Sequence, residues 1–159
     1  MEIKALILDV DGTLTDGGIY IGNEGEIMKR FHAKDGYAIH NMLPRAGIIP
    51  IIITGRKSEI VEYRCKELGI SYVIQGSCNK VQDMEKVLSD LGIGLEQTAY
   101  MGDDLNDYEA MKLVGCKACP NDAAEGIKEI ADYIAKTDGG NGAVREFVEW
   151  IIKNGKCKA

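Results

Sequence analysis

The chain has 159 residues, 45% hydrophobic and 28% charged, with a formal net charge of −6. These values exclude a disordered chain, whose few apolar groups could not offset the entropy of ordering. The acidic balance lacks the Lys/Arg stripe of a nucleic-acid binder, and no stretch approaches the roughly 18 apolar residues of a membrane span, so neither partner is expected.

The length suits a single domain over residues 1–159. Met-Glu-Ile-Lys leads directly into an apolar run with neither the basic segment nor the cleavage site of a secretory leader, which reads as cytoplasmic. The cysteines at 65, 78, 116, 119 and 157 are odd in number and irregularly spaced, so reduced thiols are expected. The Cys116-x-x-Cys119 pair lacks a second metal-ligand pair and reads as strand.

Ile3 to Asp9 is almost continuously apolar and ends in acid, the profile of a strand buried on both faces. Gly17 to Phe31 carries two short apolar runs around Gly22-Asn23-Glu24-Gly25 and predicts a β-hairpin standing off the main sheet. Its apolar surface calls for a cover, and another subunit is the natural one. A helix is predicted over Gly36 to Ala46, then a second buried strand over Ile48 to Thr54.

Helices over Ser58 to Leu68, Lys80 to Leu91 and Asn106 to Val114 alternate with strands at Ser71 to Ile74, Thr98 to Met101 and Gly115 to Cys119. Ala123 to Ile130 and Val144 to Lys153 close the pattern as helices, the last preceded by Asp138-Gly139-Gly140-Asn141-Gly142. Alternation of this kind predicts an α/β fold with a Rossmann-like parallel sheet, helices on both faces and a protruding hairpin. The Gly-rich tail and its helix, about 138–153, are expected to serve activity, so that cutting after Ala135 lowers activity more than stability.

Ligands of open parallel sheets bind outside the carboxyl ends of the strands. Asp9 and Asp11 follow the first predicted strand, Thr54, Gly55 and Arg56 the second, and Asp103, Asp104 and Asp107 a later one, while Lys80 opens a helix. Five carboxylates near one point repel unless a cation joins them, and magnesium suits oxygen ligands shared with a phosphate. In Asp9-Val10-Asp11, alternate residues of extended chain face the same way, so one carboxylate can attack phosphorus while the other passes a proton to and from oxygen. Thr54, Gly55 and Lys80 can hold the phosphoryl group.

This order of motifs, DVDGTLT, the apolar run ending in TG, Lys80, and GDDLND, resembles the haloacid dehalogenase superfamily of phosphohydrolases. The resemblance implies Asp9 as nucleophile, Asp11 as acid and base, and magnesium held by Asp9, the Asp11 carbonyl and Asp103, with Asp104 and Asp107 orienting it. The gaps between motifs are too short for a cap domain. TDGGIYIGNEGEIMKRF, KDGYAI, IITGRK, RCKELGI, QGSCNK and GGNGAVRE are further similar to the 3-deoxy-D-manno-octulosonate (KDO) 8-phosphate phosphatases and related nonulosonate 9-phosphate phosphatases. By that likeness the substrate is a small phosphorylated sugar acid. Arg56 touches it, Gly139, Gly140 and Arg145 belong to a tail reaching a neighbour's site, and hairpins and tails join four subunits.

Asp138 and Asn141 stand where that family often has basic residues, which leaves eight- and nine-carbon acids both open; Arg56 favours the former. Arg145 has an alternative as a surface partner of Glu146 or Glu149. Readings from other classes are a phospho-acceptor receiver domain, whose acidic cluster would end a middle strand, and a non-catalytic oligomerising domain.

Overall fold

The computed structural model describes residues 2–155. Strand β1 (Ala5–Leu8) lies at the centre of a parallel six-stranded sheet, paired with β4 (Ile49–Ile53) on one side and β6 (Thr98–Met101) on the other. Beyond β4 lies β5 (Tyr72–Ile74), and beyond β6 lie β7 (Cys116–Cys119) and β8 (Tyr133–Ile134), in the order β5-β4-β1-β6-β7-β8. The chain therefore reverses its direction of winding at β1, and the loops after β4 and β6 diverge around its carboxyl end.

Alternate residues of each strand feed separate cores on the two faces. Leu6, Leu8, Ile52, Ala99 and Met101 pack with Phe147, Val148 and Ile39 on one face, whereas Ala5, Ile7, Ile51, Ile53 and Tyr100 pack with Met84, Leu88, Met111 and Ile127 on the other. Helices α3 (Glu59–Glu67), with Val61 and Cys65, and α7 (Ala143–Asn154) cover the first face. The second is covered by α4 (Lys80–Leu91), α5 (Tyr108–Leu113) and α6 (Glu125–Ile130).

The helix predicted over Gly36 to Ala46 is broken into α1 (Ala33–Tyr37), a π turn (Ala38–Met42) and α2 (Leu43–Arg45). Pro44 has no N–H and its ring crowds the preceding turn, and the ladder widens there so that Leu43 N bonds Ala38 O. Strand β8 and the 3₁₀ turn Leu95–Gln97 were not expected, being too short to show a period.

The hairpin forms as expected, with β2 (Tyr20–Gly22) antiparallel to β3 (Gly25–Met28) and Gly25 at φ +113° closing the turn. Ile19, Ile21, Ile27 and Met28 are exposed, Ile21 at 67%. Among the described residues, only this hairpin and the short helices occupy the stretch between β1 and β4, and no cap is inserted.

The expectation that losing the tail costs activity more than stability is corrected by α7. Val144, Phe147, Val148 and Ile151 are buried against the sheet, and burying each contributes about 1.5–3 kcal/mol. Tyr133, Phe147 and Trp150 also stack, with ring centroids 4.9–6.1 Å apart. Reduced thiols are found at Cys65, Cys78 and Cys119, while Cys116 is disulfide-bonded, against expectation; Cys157 lies outside the described residues.

Candidate active site

Asp9 follows β1 directly, its amide donating to Met101 O of β6 at 3.1 Å. The chain then turns sharply: the amides of Thr13, Leu14 and Thr15 all converge on Val10 O. Gly12 adopts φ +88°, and a Cβ there would collide with the Asp103 carboxylate, so only glycine lets the loops after β1 and β6 approach so closely. Thr15 Oγ1 accepts from Gly12 N and Gly17 N, both at 3.2 Å, and Thr13 Oγ1 donates to Asp103 Oδ1 at 3.3 Å.

Lys80 is the first residue of α4, where the helix dipole disfavours a cation. Asn79 caps that end, accepting from Gln82 N, and the buried Lys80 side chain runs into the site instead. Its Nζ donates to Asp9 Oδ1 at 2.9 Å and to Asp107 Oδ1 at 2.7 Å. Asp107, fully buried, also accepts from Tyr100 Oη at 2.8 Å on Oδ1 and from Asp103 N at 3.2 Å on Oδ2.

Asp9, Asp103 and Asp107 bring carboxylate oxygens within 4.8 Å of one another. Burial, and then the charge of Asp107, push Asp9 up to about 6 despite Lys80. Burial, and then Asp9, raise Asp103 to about 8. Burial opposes the Lys80 ammonium, yet Asp9 and Asp107 outweigh it and hold the group above its ordinary value.

Three carboxylates facing one ammonium leave two negative charges, and the donors are all hard oxygens. That donor set fits a divalent ion such as magnesium, whose charge would offset the burial and repulsion that raise Asp103.

A cavity of about 190 Å³ opens above this cluster, lined by Asp9, Asp11, Thr54, Gly55, Arg56, Asp103, Asp104 and Asn106. The structure thus gathers most of the expected residues at one place. Asp104 is exposed and caps the following 3₁₀ turn (Leu105–Asp107) by accepting from Leu105 N, outside the tight carboxylate set. Asp11 stands at the rim, and Arg56, its side chain 49% exposed, reaches within 3.9 Å of Glu26.

The tail residues sit differently. Gly139 and Gly140 pack on the loop carrying the first motif of their own chain, so closely that a Cβ at either would strike the backbone of Gly12, Thr15 or Asp16. Gly140 N donates to Thr13 O, and Arg30 reaches over from the hairpin exit to Gly140 O at 3.0 Å and Asn141 Oδ1 at 3.1 Å. Arg30 supplies from the hairpin a positive charge beside the segment that carries Asp138 and Asn141. Arg145 does not line the cavity; its guanidinium pairs with Glu149 and lies over Tyr37, while Asp35 accepts from its backbone amide.

Three residues that sequence reasoning passed over belong to this region: Tyr100, Asn106 and Lys29, the last with Nζ 2.6 Å from Asp11 Oδ1. Tyr100 reads as core and Lys29 as an ordinary hairpin residue. The available signal was the unpaired polar end of a tyrosine in a strand buried on both faces.

Residues 70–147 match the model of the haloacid dehalogenase-like hydrolases. The chain is 45% identical to 3-deoxy-D-manno-octulosonate 8-phosphate phosphatase KdsC of Escherichia coli (strain K12) over 151 residues, 95% of this chain and 80% of that protein. It superposes with a TM-score of 0.91 and 44% identity on the Moraxella catarrhalis enzyme of that name, solved in complex with magnesium, phosphate and KDO, covering 95% of this chain and 86% of that one. The cobalt-bound Haemophilus influenzae phosphatase gives a TM-score of 0.92 at 38% identity, covering 96% and 88%.

Proposed function

The chain belongs to the 3-deoxy-D-manno-octulosonate 8-phosphate phosphatase family of haloacid dehalogenase-like hydrolases, and from that premise we propose that it hydrolyses KDO 8-phosphate with magnesium as cofactor, residues 1–159 forming one phosphatase domain. The observation that carries the reading is the buried set of Asp9, Asp103, Asp107 and Lys80 beneath an open cavity at the carboxyl ends of the strands.

In this reading Asp9 attacks phosphorus through a carboxylate oxygen. The bond from phosphorus to the sugar oxygen breaks as Asp11 gives that oxygen a proton. A water molecule then attacks phosphorus, Asp11 takes a proton from it, and the bond from Asp9 oxygen to phosphorus breaks to release inorganic phosphate. Asp9, Asp103 and the Asp11 carbonyl hold magnesium, with Asp104 and Asp107 orienting its surroundings. When bound, the ion supplies positive charge to the phosphoryl oxygens in the transition state.

Lys80, Thr54 and Gly55 hold the phosphoryl group from the protein side. Lys80 is fixed by two carboxylates before substrate arrives, so its positive charge needs no reorganisation during reaction. Arg56, half-exposed at the cavity and near Glu26, contacts the sugar acid in this reading and favours the eight-carbon acid over a nonulosonate 9-phosphate.

The exposed apolar hairpin supports a homotetramer in which hairpins pair between subunits, while Gly139, Gly140 and Arg145 are held against their own chain. A cytoplasmic setting belongs to the same reading. No helix among the described residues is long and apolar enough to cross a membrane.

The test is steady-state hydrolysis of KDO 8-phosphate beside a nonulosonate 9-phosphate, with magnesium and after chelation. Higher kcat/KM for the eight-carbon ester, lost on chelation, is expected; the reverse preference or chelator-resistant turnover would refute the assignment.

A further inference from the structure

One side chain of the apolar hairpin segment turns inward, and it is a lysine. The Lys29 side chain is 1% exposed, with Nζ 2.6 Å from Asp11 Oδ1 and 3.0 Å from Glu26 Oε2. A buried ammonium is tolerated only where partners replace its water, and two carboxylates do so here. Glu26 is held in turn by the Ser58 hydroxyl at the start of α3 and lies near Arg56. Asp11, Lys29, Glu26 and Ser58 thus tie the loop after β1, the hairpin and the loop after β4 into one polar chain.

Lys29 does not line the cavity, whereas Asp11 does. Among the described residues, the Asp11 carboxyl takes no other side-chain hydrogen bond, so Lys29 alone fixes its rotation. It grips Oδ1, and among the described residues Oδ2 takes no hydrogen bond.

We propose that Lys29 is a positioning residue for the proton-transfer step, holding the Asp11 carboxyl so that its free oxygen faces the leaving sugar oxygen. The proposal rests on the assignment of Asp11 as the proton carrier. Its consequence is that the hairpin serves catalysis within its own chain as well as presenting an apolar surface. Misplacing a proton carrier slows leaving-group departure from esters whose leaving oxygen needs a proton and largely spares it where the leaving group departs as a stable anion; the later attack of water, which also uses Asp11, is common to both, so kcat/KM, which ends at leaving-group departure, carries the difference.

The experiment compares Lys29→Met and Lys29→Arg with wild type on KDO 8-phosphate and on p-nitrophenyl phosphate, at saturating magnesium. Lys29→Met is expected to lower kcat/KM on the sugar ester by about 10²-fold, the scale of a positioned proton transfer, with less than about tenfold loss of kcat/KM on the aryl ester. KM for the sugar ester should stay within about threefold, because Lys29 makes no contact with substrate. Lys29→Arg should restore most of the sugar-ester rate.

If Lys29→Met fails to fold, Lys29→Gln, polar and of similar reach, carries the same comparison. An even loss on both esters, or none, would overturn the proposal alone. Wild-type protein inactive on both esters would overturn the hydrolase reading, and the proposal with it.

Discussion

Removing one oxygen atom from the core tests whether the site is held together from beneath. Tyr100 is fully buried and its hydroxyl donates to Asp107 Oδ1 at 2.8 Å, the oxygen that also accepts from Lys80 at 2.7 Å. Tyr100→Phe keeps the ring and opens almost no cavity, so the change in stability reports the hydrogen bond. A bond to a charged acceptor contributes about 1.5–3 kcal/mol, and both groups here lie out of water, which favours the upper part of that range.

With a urea dependence of roughly 2 kcal/mol per molar, the unfolding midpoint should fall by about 1 M. Circular dichroism at fixed chain concentration and without magnesium is the appropriate measurement, since association and ligand both add to apparent stability. A cycle with Asp107→Asn should return a coupling of about 0.5–3 kcal/mol. Turnover should fall less than about tenfold, because Lys80 keeps Asp9 as a partner at 2.9 Å. A midpoint shift below about 0.2 M would mean that Tyr100 does not support Asp107, and the account of the buried network would fail.

Asp9→Asn should abolish turnover yet leave the magnesium-free protein as stable as wild type or more so, because it removes one buried carboxylate that burial and Asp107 both disfavour; thermal melts with and without magnesium check this, and a large drop in the midpoint would contradict it. Deleting residues after 135 removes Val144, Phe147, Val148 and Ile151 from the core, at about 1.5–3 kcal/mol each against a total stability of about 5–15 kcal/mol. The truncated chain should not fold, and a cooperative melt from it would refute that estimate. Asp35, buried beneath the start of α7 with Oδ2 unpartnered, has its pKa raised above 3.8, chiefly by burial. The folded state therefore binds this proton more tightly than the unfolded one, and stability is lost as pH rises through the raised value. Asp35→Asn should flatten that fall in a series of urea midpoints against pH; parallel curves for the two proteins would rule it out.

The parallel sheet was legible because its inner strands are buried on both faces and therefore read as unbroken apolar runs, as in Ala5–Leu8 and Ile49–Ile53. Helix α4 was legible to the residue, with Asn79 as a cap before it and Gly92 in a left-handed cap after it. The acidic residues of the site were visible because carboxylates at strand ends have few other uses. What stayed hidden is whatever depends on approach in three dimensions. Nothing in the sequence near Lys29 distinguishes it from its neighbour Arg30, although one turns to Asp11 and the other to the Gly-rich segment. The importance of α7 was hidden for a related reason: glycines before a helix suggested a loose appendage, whereas here they allow a close approach.

That approach ties activity to the order in which the polypeptide is made. The loop bearing Asp9 and Asp11 leaves the ribosome well over a hundred residues before Gly139 and Gly140, which brace it. A nascent chain stalled before those glycines would carry every acidic group of the pocket without the wall behind them. Competence for hydrolysis then arrives late in synthesis, together with the helix that seals the hydrophobic face.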